Sequence, residues 1–450
     1  MGSYVPNTKA EQEAMLKEAG YSGFEDMFSC IPEENRLKRP LNIPSGLSEM
    51  EVLRKMEEIA DKNTVFKSIF RGAGAYNHYI PAIVKSVSTK EEFVTTYTPY
   101  QAEISQGILQ SIFEFQTMIC ELTGMDVANA SHYDGATAAA ESIPMCQDRK
   151  RKTAYVSKAA HPGVIQVMKT YCFGSGTRLV EVPARDGLTD TEELETLLKE
   201  DPAAACVYIQ QPNFYGNFED AEKIAEITHT AGAKLVMGVN PISLAIIQSP
   251  AEAGADIAVG DGQPLGMPIA YGGPYVGFMA TNSKMMRKLP GRIVGETTDD
   301  KGERAFVLTL QAREQHIRRE KASSNICSNQ DLCTLIASVY MAAMGKDGMR
   351  AVATQSMSKA HYLAEQLEGA GFRPLYRQEF FNEFITDCPC GSQKLMKALE
   401  NHGILGGLPI TLPITENAVL WCATEMNTKK DMDDVVTIAK AVMEGKEAHA

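Results

Sequence analysis

A chain of 450 residues is too long for one compact core, so two or three domains are expected. Hydrophobic residues make up 44% and charged residues 22%, the balance of an ordinary globular protein. The 57 acidic residues outnumber the 44 Lys and Arg for a net charge of −13, which argues against nucleic acid or an anionic membrane as the main partner.

Residues 1 to about 65 read as a helical arm. Glu11 to Ala19 and Ser48 to Asp61 have helical spacing, with Val52, Leu53, Met56 and Ile59 on one face of the second. Ser48 followed by Glu51 predicts a capping box. Between them Ile31-Pro32, Arg39-Pro40 and Ile43-Pro44 impose extended chain. Such an arm has little core of its own and is expected to pack on another surface.

Residues 66–150 open with a glycine- and aromatic-rich loop, Phe70 to Pro81. Tyr97-Thr98-Pro99-Tyr100-Gln101-Ala102-Glu103 then leads into a helix of about two dozen residues ending at Thr123, with Gly124 as its stop. Asp134-Gly135-Ala136-Thr137 opens the next helix. A glycine and a threonine there suit either a phosphate held on free N–H groups or a close-packed helix start without a ligand.

From Thr153 to Met279 short apolar strands alternate with helices. The strands are 154–157, 178–182, 206–210, 234–239, 256–259 and 275–279, and the helices 162–171, 190–199, 219–231 and 243–253. This alternation predicts a mainly parallel sheet with helices on both faces. GxGxxG after the first strand, Walker A, HExxH and GxSxG are all absent, which removes the common nucleotide, zinc-protease and hydrolase readings. Segment 256–279 runs strand, Gly/Pro-rich loop, strand, and such loops at strand ends are where ligands and reactive groups sit.

Residues 284–303 read as a charged, loop-rich segment and 305–310 as an apolar run. A helix from Asn329 to Gly345 follows, then helix 356–369, strand 379–386, helix 392–402, strand 418–422 and helix 429–443. The expected division is an arm (1–65), a large α/β domain (66–315) and a small C-terminal α+β domain (316–450). Ten cysteines without a CxxC pair give neither a disulfide framework nor a zinc site, and no metal site is expected. His132 and His316 read as ordinary histidines. No apolar run is long enough to span a membrane, the N-terminus lacks a signal-type apolar region, and a soluble, reducing, cytoplasmic setting is expected.

The run from Gly72 to Ser142, the arm segment 31–49 and Arg319 to Gln330 (REKASSNICSNQ) resemble the glycine-cleavage-system P-protein family, the glycine decarboxylases, over nearly the whole chain. The length resembles that of the separate α subunit of two-chain members. The resemblance implies the fold of aspartate-aminotransferase-like (fold type I) enzymes that use pyridoxal 5′-phosphate (PLP): a large α/β domain with a mainly parallel seven-stranded sheet, plus a small C-terminal α+β domain. It also implies a reaction in which glycine and the lipoyl H-protein give aminomethyl-dihydrolipoyl H-protein and CO2.

PLP in this fold needs a Schiff-base lysine, a carboxylate at the pyridine nitrogen and a phosphate cup. Counting back from Gly272-Gly273-Pro274 through Pro268 puts Gln263 at the family's lysine, and Met237-Gly238-Val239-Asn240 puts Met237 at its aspartate. His161 matches the ring-stacking histidine, and Asp134, Gly135 and Thr137 match the phosphate cup, as relics. The resemblance therefore implies a subunit without its own catalytic residues, paired with a PLP-bearing β subunit as α2β2. Tyr97, Tyr100, Gln101, Glu103, His78 and Tyr79 are candidates for a wall of the partner's site, or the tyrosines pack at the interface. Thr297, Ser324 and Asn325 are candidate donors to the partner's phosphate, or helix and turn caps. Competing readings are an independent PLP enzyme using Lys234 or Lys284, and a non-catalytic scaffold for the H-protein.

Overall fold

The computed structural model describes residues 7–326 and 329–446, and the chain forms two compact units, Met1–Val65 and Phe66–Ala450. In the first unit, α1 (Lys9–Glu18) starts at a Thr8–Glu11 capping box and α2 (Glu49–Ala60) at the Ser48–Glu51 capping box read from the sequence. Each cap supplies two of the N–H partners that a helix start otherwise lacks. None of the arm's described residues is buried, and the apolar face Val52, Leu53, Met56 and Ile59 stays exposed. Local capping, not a core, shapes this unit.

The second unit is built on a seven-stranded sheet: β1 (Val127–Ala128), β2 (Thr153–Ser157), β3 (Leu179–Val182), β4 (Ala204–Gln211), β5 (Lys234–Val239), β6 (Ile257–Asp261) and β7 (Gly277–Thr281). The order across the sheet is β1-β7-β6-β5-β4-β2-β3. Only β7 runs against its neighbours. Strands such as β2 and β7 are buried along their whole length, as expected where helices cover both faces.

On one face lie α4 (Gly135–Cys146) and α5 (Pro162–Ser175), whose Ala138, Ala139, Ile143 and Met168 pack with Ala154, Val156, Tyr208 and Val259. On the other lie α3 (Gln106–Thr123), α6 (Thr191–Glu200), α7 (Ala221–Thr230) and α8 (Asp331–Gly369), packing with Tyr155, Ile209, Met237 and Phe278. Adjacent strand residues thus serve opposite cores, which is the period of two in the pleat.

Four expectations change. Segment 243–253 forms only a 3-10 turn at Ser243–Ala245, because the Asn240 side chain accepts from Ile242 N–H and Pro250 has no N–H to give a helix. Helix α3 is 18 residues long and starts at Gln106, since Ile104 lies outside it, 70% exposed. The charged stretch after residue 284 contains β8 (Ile293–Thr298), which pairs antiparallel with β9 (Arg304–Thr309). Helix α8 runs through the gap expected at 346–355 and breaks once, at Gly345, where φ is 57°.

The C-terminal layer holds a three-stranded sheet of β10 (Glu383–Asp387), β11 (Leu408–Leu412) and β12 (Thr415–Cys422), ordered β10-β12-β11. It is covered by α9 (Ser392–Asn401) and α10 (Lys429–Met443) around the fully buried Trp421. Phe70 belongs to this core, and Ser68–Ile69 pair in parallel with Ile404–Leu405. The chain therefore leaves the C-terminal layer at Phe70 and crosses to the large sheet through the loop 70–81.

Candidate functional site

That crossing loop is gripped from both sides. From the small layer, Glu383 accepts a hydrogen bond from Ala73 N–H (2.6 Å) and one from the Tyr76 hydroxyl (2.7 Å). Glu425 accepts from Tyr79 N–H (2.6 Å) and contacts His78 Nδ1 at 2.7 Å. Thr424 Oγ1 donates to Asn77 O. Burial pushes the Glu383 carboxyl up to about 7, against the two donors that favour its charge. Burial also acts to raise Glu425, but the bond and charge of His78 outweigh it and the carboxyl lies below its ordinary value.

From the large sheet the grip is Gln263. Its side chain is fully buried; Oε1 accepts from Tyr76 N–H (2.8 Å), and Nε2 donates to Tyr76 O (2.9 Å) and Met267 O (2.8 Å). An amide is suited to this place because it accepts and donates at once. His161 adds a further tie: its Nδ1 accepts from Gly163 N–H and its Nε2 donates to Ala73 O, so the ring is held as one neutral tautomer. Burial lowers its pKa, consistent with that state. The loop must bend sharply to meet all these partners, and Ala73 and Gly74 both take positive φ (58° and 104°).

Beneath the loop lies a cavity of about 480 Å³ at the carboxyl ends of β4, β5 and β6. It is lined by Tyr76, Asp134, His161, Tyr208, Asn240 and Asp261 among others, and by no Lys or Arg. The N-terminus of α4 opens on it. Gly135 stands where a Cβ would be 2.8 Å from Asp261 N, and this closeness lets β6 reach the helix start. Asp261 Oδ2 accepts from Gly135 N–H (3.1 Å) and Oδ1 from Gln263 N–H (2.8 Å), while Asp134 Oδ1 accepts from Thr137 N–H (2.7 Å). Burial raises the Asp261 carboxyl to about 6, and the two N–H donors hold it down. Met237 is buried in the α8-side core one pleat below Val239, which does line the cavity. Lys234 pairs with Asp256 at the opposite end of β5, and neither it nor Lys284 lines the cavity.

The candidates for a partner-facing wall divide. Tyr97 is 95% exposed, and Gln101, Glu103 and Tyr79 are exposed as well. Tyr100 turns inward: its hydroxyl lies 2.9 Å from both Asn329 Oδ1 and Asp331 Oδ1, and the Arg292 guanidinium sits 4.2 Å over its ring. His78 is buried against Glu425. Thr297 is exposed on β8. Ser324 and Asn325 line a second cavity of about 340 Å³ with Glu141, whose carboxyl burial raises to about 7, opposed by a hydrogen bond from Ser324. Ser324 Oγ also accepts from Ile326 N–H. His132 is fully buried and pushed down to about 3 by burial, and His316 lies 3.4 Å from Glu314. Among the described residues no cluster of His, Cys, Asp and Glu could hold a metal, and all the cysteines are free. Among them, too, no helix is long and apolar enough to cross a membrane. Cys327 lies outside the described residues.

Residues 2–439 match the family model of the glycine cleavage system P-protein. The chain belongs to this family. The probable glycine dehydrogenase (decarboxylating) subunit 1 of Carboxydothermus hydrogenoformans is 49% identical over 97% of this chain and 98% of its own length. That of Moorella thermoacetica is 47% identical over 98% and 100%. Among solved structures, an inhibitor-bound glycine decarboxylase (P-protein) of the glycine cleavage system superposes with a TM-score of 0.91 at 41% identity, covering 98% of this chain and 100% of that one. An aspartate aminotransferase of subgroup IV from Thermus thermophilus shares the fold alone, with a TM-score of 0.59 at 13% identity over 84% and 99%. The large domain of this P-protein chain is thus that of the PLP-dependent fold type I enzymes.

The cavity wall of this chain carries no lysine that could form an imine with PLP. At the positions where the family resemblance calls for an imine-forming lysine, a ring-nitrogen carboxylate and a phosphate cup, the P-protein chain has a buried amide, a thioether in the core and a helix start already taken by a carboxylate. Sequence reasoning found Gln263 and missed Glu383, Glu425 and Asp261. Asp261 was legible as the one acid in the Gly/Pro-rich loop; the two glutamates lie about 310 and 350 residues from the loop they hold, and no local pattern announces them.

Proposed function

We propose that this chain is the first subunit of a two-subunit glycine dehydrogenase (decarboxylating), paired with a β subunit as α2β2 in the cytoplasm. The complex converts glycine and the lipoyl H-protein to aminomethyl-dihydrolipoyl H-protein and CO2. PLP supplies the electron sink for this chemistry on the β subunit. This chain completes the site by presenting a fixed wall, with Tyr97 and Tyr79 at its outer edge. The observation that carries the reading is Gln263, a buried clamp beside a cavity whose wall holds no imine-forming lysine.

Its support comes also from the absence of any lysine on the cavity wall and from full-length similarity to proteins called subunit 1. The test is glycine-dependent CO2 release with H-protein, using this chain alone, the β subunit alone and the two together. Only the pair should turn over, and Tyr97→Ala should lower turnover while the pair still co-elutes. Unchanged turnover in that variant would assign Tyr97 to packing. Turnover by the isolated chain, with borohydride trapping PLP on Lys234 or Lys284, would overturn the proposal.

A further inference from the structure

We infer that Asp261 is a built-in anion that occupies the N-terminus of α4 and so bars phosphate-bearing ligands from this chain's own cavity. The inference rests on the proposed division of labour between subunits and gives it a physical cause beyond the missing lysine. A helix start with free N–H groups opening on a cavity attracts anions, because those donors and the helix dipole both favour negative charge. Here two of those donors are committed, Gly135 N–H to Asp261 and Thr137 N–H to Asp134, and the second oxygen of Asp261 takes Gln263 N–H from the loop beyond β6.

The arrangement is made by the backbone rather than by a flexible side chain resting there. Asp261 is the last residue of β6, and Gly135 lets the strand end approach the helix to within contact of where a Cβ would be. Nothing along the cavity wall offsets the charge. Two carboxylates line it, no Lys or Arg does, and His161 is held neutral by its two backbone partners. A phosphate entering would meet two like charges, with the N–H groups of Gly135 and Thr137 already committed at the helix start. The carboxylate takes the place of an external ligand and keeps α4 seated on the sheet without one.

The probe is inorganic phosphate, titrated into the purified full-length chain and followed by calorimetry and by 31P line broadening. Asp261→Ala frees two N–H donors and removes one charge, so phosphate should bind at least tenfold more tightly than to the wild type. Equal affinity in the two proteins, or wild-type binding as tight as that of the variant, would overturn the inference. If Asp261→Ala does not fold, Asp261→Asn keeps the size and one acceptor, and at least a threefold gain is expected; no gain there also overturns it. The proposed function fails separately, through turnover or lysine trapping in the isolated wild-type chain, neither of which phosphate affinity reports.

Discussion

Replacing Gln263 by leucine keeps its volume and removes its amide. Three backbone groups then lose their only side-chain partner in a dry setting: Tyr76 N–H, Tyr76 O and Met267 O. Tyr76 and Met267 are both buried, so water cannot replace the amide without opening the loop. Tyr76 O keeps the bond from His78 N–H, so two groups are orphaned, Tyr76 N–H and Met267 O; at about 1–3 kcal/mol each, less for the carbonyl, the loss is about 3 kcal/mol. Urea unfolding followed by far-UV circular dichroism would read this as a lowered midpoint at unchanged slope. Amide exchange at Tyr76 should accelerate first, since the loop can open while the sheet stays folded. The exposed Gln248→Leu is the control and should stay within about 0.5 kcal/mol of wild type. A loss under about 1 kcal/mol for Gln263→Leu, with Tyr76 still protected, would refute the reading of Gln263 as the loop's clamp.

Glu383 has a folded pKa of about 7 against an ordinary 4.5, so its share of stability is full below pH 4.5 and is lost as pH rises through 7. Glu383→Gln should remove that loss, shifting stability relative to wild type by about 3 kcal/mol between pH 4.5 and 7; a pH-independent difference would show that the carboxyl does not titrate there. Tyr100→Phe removes the hydroxyl from Asn329 and Asp331, leaving the half-buried Asp331 carboxylate with the charge of Arg292 but without its hydroxyl donor, and should cost about 1–2 kcal/mol in thermal unfolding. If the cost is nil, Tyr100 is held by its ring alone. Gly216→Ala should prevent folding to soluble protein, because φ is 88° and the added methyl would strike the Glu383 carbonyl; soluble variant with wild-type melting would show that the β10 contact yields.

How much of this was legible depended on distance along the chain. The sheet was legible because parallel strands buried on both faces read as short apolar runs, and β2, β4, β5 and β6 fell close to where those runs stood. Segment 243–253 misled because apolar spacing alone cannot register that Asn240 and Pro250 spend the local hydrogen bonds elsewhere. The β8–β9 hairpin was hidden by charges at its tip, Asp299 to Glu303, which mark a turn as readily as a loop. In the site, a glutamine at 263 where the resemblance calls for a lysine was legible, and the use the fold makes of that glutamine was not. A glutamine's partners depend on which backbone lies opposite, and Tyr76 lies 187 residues away.

The Gln263 clamp also makes the chain's present state hard to leave by single substitutions. A lysine at 263 has three donors and no acceptor, so it satisfies Tyr76 O and Met267 O and leaves Tyr76 N–H with none. The first step toward a nucleophile would thus loosen the crossing loop before any cofactor arrived to compensate, and the carboxylate of Asp261 would still stand at the helix start. A lysine at 263 and an open helix start thus require at least two changes, each unfavourable without the other. The fold acts here as a ratchet that holds position 263 to its amide.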